Sequence, residues 1–193
     1  MQIVLASASP RRKELFSWLG VPFDVIVPEI DETFRKGETP VEYCARISRE
    51  KAVSVASRQP SSLIVSADTI VVSRGRILGK PRDEDQAREH LRLLQDATHE
   101  VYTGYAIVHG HLSVSNVIRT QVRFREMNDE EIAWYISTKE PMDKAGSYGL
   151  QGIGSLFISE IAGSYTNVIG LPLSDLYNDL KGFGIALHPI EGG

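Results

Sequence analysis

Short unbroken apolar runs and helix-spaced apolar stripes take turns along this chain. Ile3-Val4-Leu5-Ala6 is an unbroken apolar run and predicts a buried strand. Ser9-Pro10 follows, a capping serine with a proline suited to the first helical turn, and predicts a helix ending near Gly20. Phe23 to Val27 predicts a second strand. Thr39-Pro40-Val41-Glu42 has the capping-box form and opens a helix to about Ser57. Leu63 to Val72, rich in Val and Ile, predicts a strand, and Arg74-Gly75-Arg76 a hairpin tip returning through Ile77-Leu78. Asp83-Glu84-Asp85-Gln86 opens a helix to about Gln95. Glu100 to Val108 and Ser113 to Phe124 predict two long strands about a turn at Gly110. Asn128-Asp129-Glu130-Glu131 caps a helix to about Thr138. Four glycines between Lys144 and Gly154 predict a loop of special backbone geometry. Leu156 to Ile161 predicts a strand, and Leu173 to Lys181 a closing helix stopped at Gly182. Trp18 and Trp134 fall on apolar helix faces and read as core. Interleaved strands and helices with at least one antiparallel pair predict an α/β fold with a mixed sheet, as a single domain over residues 1–193.

Composition narrows the class. A chain of 193 residues builds one core, or one core split by a cleft. The net charge of −4 argues against a nonspecific nucleic-acid binder. It leaves room for a small anionic ligand, which a few local cations can hold. Cys44 is the one cysteine, so no intramolecular disulfide forms, as suits a reducing compartment. No apolar run is long enough to span a bilayer, and the basic residues follow the first apolar run, the reverse of a secretory signal. A cytoplasmic protein without membrane or nucleic-acid partners is the expectation.

Five segments carry candidate chemistry. Ser7-Ala8-Ser9-Pro10-Arg11-Arg12-Lys13 crowds hydroxyls and cations where a strand enters a helix, a place that favours a phosphate; a solvated basic turn is the plainer alternative. Lys51 shares a stripe with Cys44, Ile47 and Val55, so it either snorkels to water or aims its ammonium into a cleft, where Lys80 could join it. Asp68 lies inside the very apolar run Leu63 to Val72. A carboxylate there needs a partner or a task, such as binding metal or activating water, unless it marks a bulge between two shorter strands. Glu29-Ile30-Asp31-Glu32 follows a strand and offers oxygen ligands for Mg²⁺ or Mn²⁺, or is an acidic surface loop. Asp143 to Gly152 combines glycines with Gln151, whose amide both donates and accepts and suits a base edge; a structural turn is the alternative. The five histidines show no zinc spacing, and neither GxSxG nor a Walker motif occurs.

Taken together, Ser7-Ala8-Ser9-Pro10-Arg11-Arg12, Glu50-Lys51-Ala52, Ala67-Asp68-Thr69, Gly79-Lys80-Pro81, Asp143 to Gly152 and Gly170-Leu171-Pro172-Leu173 resemble the Maf family of nucleotide pyrophosphatases. The resemblance covers about the whole chain. It implies an elongated mixed sheet flanked by helices, of the Maf/ITPase-like kind, in two lobes with a central cleft. It implies hydrolysis of a nucleoside triphosphate to monophosphate and pyrophosphate, with a divalent metal cation. Its catalytic aspartate falls on Asp68, and its specificity positions on Arg11, Thr69 and Gln151. Arginine after Ser-Pro, threonine after Ala-Asp and the Gln-Gly pair are similar to the branch acting on dTTP and UTP. Leu150 stands where isoleucine is more usual. The implied site therefore comprises Glu32 and Asp68 on the metal, Asp68 on the attacking water, and Ser7, Arg11, Arg12, Lys51, Thr69, Lys80, Lys144 and Gln151 on the substrate. The resemblance also suggests a homodimer. Two alternatives stand beside this reading: a nucleotide-binding regulator of septum formation without turnover, and a house-cleaning pyrophosphatase for modified purine nucleotides.

Overall fold

The computed structural model describes residues 1–186. Seven strands and six α-helices follow one another: β1 (Ile3–Ala6), α1 (Pro10–Ser17), β2 (Asp24–Ile26), α2 (Pro40–Ala56), β3 (Leu63–Ser73), β4 (Arg76–Leu78), α3 (Glu84–Leu94), β5 (Thr98–His109), β6 (Leu112–Phe124), α4 (Asp129–Ser137), β7 (Ile158–Ala162), α5 (Tyr165–Ile169) and α6 (Leu173–Lys181). Short 3₁₀ turns fill Glu140–Asp143, Ala145–Ser147 and Ile153–Phe157. The strands form one mixed sheet in the order β2-β1-β3-β5-β6-β7, with β4 paired to β3. β1 runs parallel to both β2 and β3, in the register Ala6↔Ile26 and Ala6↔Ser66. β4 returns antiparallel along β3, and β7 lies antiparallel to β6.

Helix starts follow the capping residues. Ser9 accepts from the Arg12 N–H, Thr39 and Glu42 form a reciprocal capping box, Asp83 accepts from Gln86, and Asn128 and Glu131 form a second box. The turn after β3 places Arg74 and Gly75 at positive φ, and Gly110 turns β5 into β6. Asp68 breaks nothing: β3 is continuous through it, so the bulge alternative fails.

One expectation needs correction, one helix was not foreseen, and one helix stop works differently from the glycine caps it was likened to. Trp18 and Trp134 are 46% and 50% exposed, because each falls on the solvent side of its helix while Leu15 and Phe16, or Tyr135 and Ile136, fill the core. α5 is a five-residue helix, too short for an apolar period to reveal. Gly182 does end α6, but at φ −63, so the left-handed freedom of glycine is not used there.

The chain divides into two compact units. The first comprises residues 1–68, 103–118 and 170 onward, the second residues 69–102 and 119–169. The first has a core of Val4, Ala6, Ala52, Val55, Ile64 and Ala106, so that β1, β3 and β5 pack on α2. The second gathers Leu78, Leu91, Phe124, Ile132, Tyr135 and Phe157 among α3, α4 and their strands. No helix among the described residues is long and apolar enough to cross a membrane.

Candidate active site

In the first unit the candidate chemistry gathers at the carboxyl end of β1, beside the middle of β3. The parallel register sets Ala6 beside Ser66, so the chain leaving β1 through Ser7 runs beside Ala67 and Asp68. Loops at the carboxyl ends of parallel strands are the usual ligand-binding edge of such sheets. Ser7 is buried, and its hydroxyl accepts from the Ser9 N–H at 3.1 Å, which tightens the turn into α1. Arg12, on the first turn of α1, donates through Nη1 to the Ala67 carbonyl and through Nε to the Gly170 carbonyl, both at 2.8 Å. Its guanidinium is thereby fixed beside Asp68. Burial lowers the Arg12 pKa from the ordinary arginine value, while the charges of Asp68 and Glu32 act in the opposite sense. Arg11 is partly buried on the same turn.

Two periodicities deliver the central ion pair. Ser66 and Asp68, two apart on β3, face the same side; Ser48 and Lys51, three apart on α2, share a helix face. The Ser66 hydroxyl donates to the Ser48 carbonyl at 2.5 Å, locking strand to helix, and one step further along each element Lys51 Nζ donates to Asp68 Oδ1 at 2.7 Å. Lys51 is 6% exposed and Asp68 7%, so neither charge is tolerable alone. Glu32 completes the cluster, with Oε2 3.0 Å from the same ammonium. Glu32 is brought there by a loop strapped along α2. Tyr43 donates to the Glu32 carbonyl at 2.9 Å, Arg46 to the Thr33 carbonyl at 3.1 Å and Ser54 to the Glu29 carbonyl at 3.3 Å. Burial raises the Tyr43 pKa, with Asp68 and Glu32 adding to the effect, so the phenol stays a donor.

Residues of this cluster fit a divalent cation. Carboxylate oxygens from a loop and a strand converge on one positive centre, and Mg²⁺ is usually held by one or two carboxylates plus substrate phosphates and water. Among the described residues no three of His, Cys, Asp and Glu gather into a self-sufficient cage. Glu32 and Asp68 are suited to an ion that arrives with a phosphorylated substrate.

The second unit holds Thr69, Lys80, Lys144 and Gln151. Thr69 follows Asp68 on β3 and is half-buried. Lys80 is exposed just after Gly79, whose carbonyl accepts from the Gly146 N–H at 3.1 Å, tying it to the glycine-rich loop. Gly146 sits at φ +68 with any added Cβ 2.9 Å from Val71, so this close approach requires glycine. Lys144 donates to Asp143 Oδ1 and to the Glu140 carbonyl, both at 2.6 Å, and its stem crosses Gly149. Gln151 buries its amide oxygen without a hydrogen-bond partner among the described residues. An orphaned buried acceptor is costly unless a ligand donor meets it.

Sequence reasoning misses the residues that hold this machinery: Ser48 and Ser66, Tyr43 and Arg46, and in the second unit Tyr135 and Glu140. Ser66 had one visible signal, a small polar residue inside an otherwise apolar strand; Ser48 acts through its backbone carbonyl and had none.

Known proteins are similar to this chain over nearly its whole length. The chain is 49% identical over 185 residues to a dTTP/UTP pyrophosphatase of Syntrophus aciditrophicus, covering 95% of this chain and 90% of that protein. It is 49% identical over 184 residues to a dTTP/UTP pyrophosphatase of Bacillus cereus, covering 95% and 96%. Among solved structures, the Ham1 protein of Staphylococcus aureus is similar at 15% identity and a TM-score of 0.48, over 95% of this chain and 100% of that one. The family described as Maf-like protein matches residues 2–183, and the chain belongs to the Maf family.

Proposed function

We propose that this protein is a nucleoside-triphosphate pyrophosphatase that hydrolyses dTTP and UTP, and modified pyrimidine nucleotides of the same kind, to the monophosphate and pyrophosphate. The observation that carries this reading is the buried Lys51 ammonium held between Asp68 and Glu32, with the Arg12 guanidinium alongside. Close relatives carrying the dTTP/UTP pyrophosphatase name support it.

A carboxylate has about four lone-pair sites, so Asp68 can accept from Lys51 and still accept from a water. Asp68 orients that water toward the α-phosphorus and takes its proton. The bond from the α-phosphorus to the bridging oxygen breaks, and pyrophosphate leaves. Lys51, Arg12 and Lys80 offset the charge growing on the leaving group, and Ser7 and Lys144 complete the contacts to the phosphates. Glu32 and Asp68 would hold Mg²⁺ or Mn²⁺, which when bound would supply further charge neutralisation at the phosphates. Gln151, Thr69 and Arg11 read the base. The unpartnered Gln151 amide oxygen supports this role, because uracil and thymine present a ring N–H and cytosine does not.

Asp68→Asn tests the assignment. The amide keeps the shape and a bond to Lys51 but loses basicity, so turnover falls by about 10³-fold while the fold persists. Normal pyrophosphate release by a folded Asp68→Asn variant would sink the mechanism. Retained nucleotide binding with no turnover in the unsubstituted protein would favour the regulatory alternative. A cytoplasmic location is supported by the single buried Cys44. The homodimer expectation rests on the family resemblance, and sedimentation analysis measures it.

A further inference from the structure

The loop carrying Gln151 is wound around a carboxylate that the mechanism above does not use. Glu140 Oε1 accepts from the Tyr135 hydroxyl at 2.9 Å and from the Gly154 N–H at 3.0 Å, and its Oε2 accepts from the Ile153 N–H at 2.9 Å. The Tyr135 oxygen in turn accepts from the Gly149 N–H at 3.3 Å. Gly149 precedes Gln151 by two residues and Ile153 follows it by two, so both flanks end on one Tyr–Glu pair. The fit is close. A Cβ on Gly152, at φ +127, would lie 2.7 Å from Glu140 Oε2, and one on Gly154 would lie 2.6 Å from the Tyr135 hydroxyl. Burial pushes the Glu140 carboxyl up, but the N–H donors of Gly154 and Ile153 and the Tyr135 hydroxyl outweigh it, leaving the group below the ordinary carboxylate range and ionised.

We infer that Glu140, acting with Tyr135, is a positioning residue for base selection: it freezes the backbone on both sides of Gln151 so that the buried amide oxygen is presented in one orientation. The inference rests on the proposed reading that Gln151 meets the base. A loop ordered before substrate arrives spares the complex the entropy of ordering it, and discrimination between bases depends on an acceptor that cannot swing away. Glutamine at position 140 would retain one acceptor oxygen and turn an NH₂ group toward backbone N–H donors. Tyr135→Phe would cut the tie to Gly149 and remove one of the donors to Glu140, leaving the Ile153 and Gly154 N–H groups on the carboxylate.

The test measures kcat and KM for UTP and CTP in Glu140→Gln, Tyr135→Phe, Gln151→Ala and the Glu140→Gln/Gln151→Ala double variant. Glu140→Gln should raise KM for UTP about tenfold, the worth of one charge-assisted hydrogen bond, with kcat within about threefold. Tyr135→Phe should shift KM in the same direction by about threefold, and carries the test if Glu140→Gln fails to fold. Both should lower the UTP-to-CTP ratio of kcat/KM, and in the Gln151→Ala background Glu140→Gln should lower it no further. If Gln151→Ala lowers the ratio but neither Glu140→Gln nor Tyr135→Phe does, the positioning role is overturned while the base reading stands. Should Gln151→Ala leave the ratio unchanged, the base reading fails and takes the inference with it.

Discussion

A buried lysine is costly unless its charge is met, and Lys51 meets two carboxylates at once. Lys51→Met keeps the length and the apolar stem but leaves Asp68 buried without its partner. We expect a loss of about 3 kcal/mol in unfolding free energy by urea titration, the low end for breaking a buried pair, since Arg12 remains nearby. A loss below the error of the titration would mean that water already screens the pair. His99 gives a second prediction at this scale. It is 1% exposed, donates or accepts through Nε2 with the Tyr148 hydroxyl at 2.7 Å, and packs edge-on to Phe124 and Tyr148. Burial lowers its pKa from 6.5 to about 4. The unfolded chain therefore takes up the proton first as pH falls, so the stability contribution is complete above pH 6.5 and is lost progressively down to pH 4. Between pH 7.5 and pH 5 about 2 kcal/mol should disappear, and less in His99→Gln. Identical pH slopes in the two proteins would remove His99 from the account. Asp68 and Lys51 were legible in the sequence because each puts a charge into an apolar period. Tyr43 and Glu140 were not, because most of their partners are backbone groups that only the tertiary fold brings near. Trp18 and Trp134 misled for a related reason: the apolar face of a short helix is narrower than its apolar content suggests.

Elements came through more clearly than their contacts. Four helix starts were announced by capping residues, and the strands by apolar runs, because caps and periods are local properties of the chain. The pairing of β1 with both β2 and β3, or of β7 with β6, follows from packing between distant segments and leaves no local mark. The contact between α2 and β5 is one such feature. Gly104 lies so close to α2 that a Cβ would meet the Cys44 carbonyl oxygen at 2.4 Å, and backbone cannot turn aside as a side chain can. Gly104→Ala must push the helix off the strand, at a cost of about 3 kcal/mol by the measure of an overpacked core. Because α2 also carries Lys51 and the strap for Glu32, activity should fall with stability. A Gly104→Ala protein with an unchanged unfolding midpoint and full activity would show that α2 is not held at this spacing.

At the scale of the molecule, the residues proposed to act on a triphosphate are drawn from both compact units of a mildly acidic chain. Arg12 and Lys51 sit with the carboxylates of the first unit, while Lys80, Lys144 and Gln151, the proposed base reader, belong to the second. The boundary falls between Asp68 and Thr69, within the one strand that contributes both the proposed catalytic group and a proposed base reader. The anhydride between the α- and β-phosphates of pyrimidine nucleotides is the bond this site is proposed to cut. Purified protein with Mg²⁺ or Mn²⁺ should be given dTTP, UTP, CTP, dGTP, ITP and 7-methyl-GTP, with pyrophosphate and inorganic phosphate measured separately. Pyrophosphate released mainly from dTTP and UTP is the predicted result; inorganic phosphate as the first product, or release chiefly from a purine nucleotide, would contradict it.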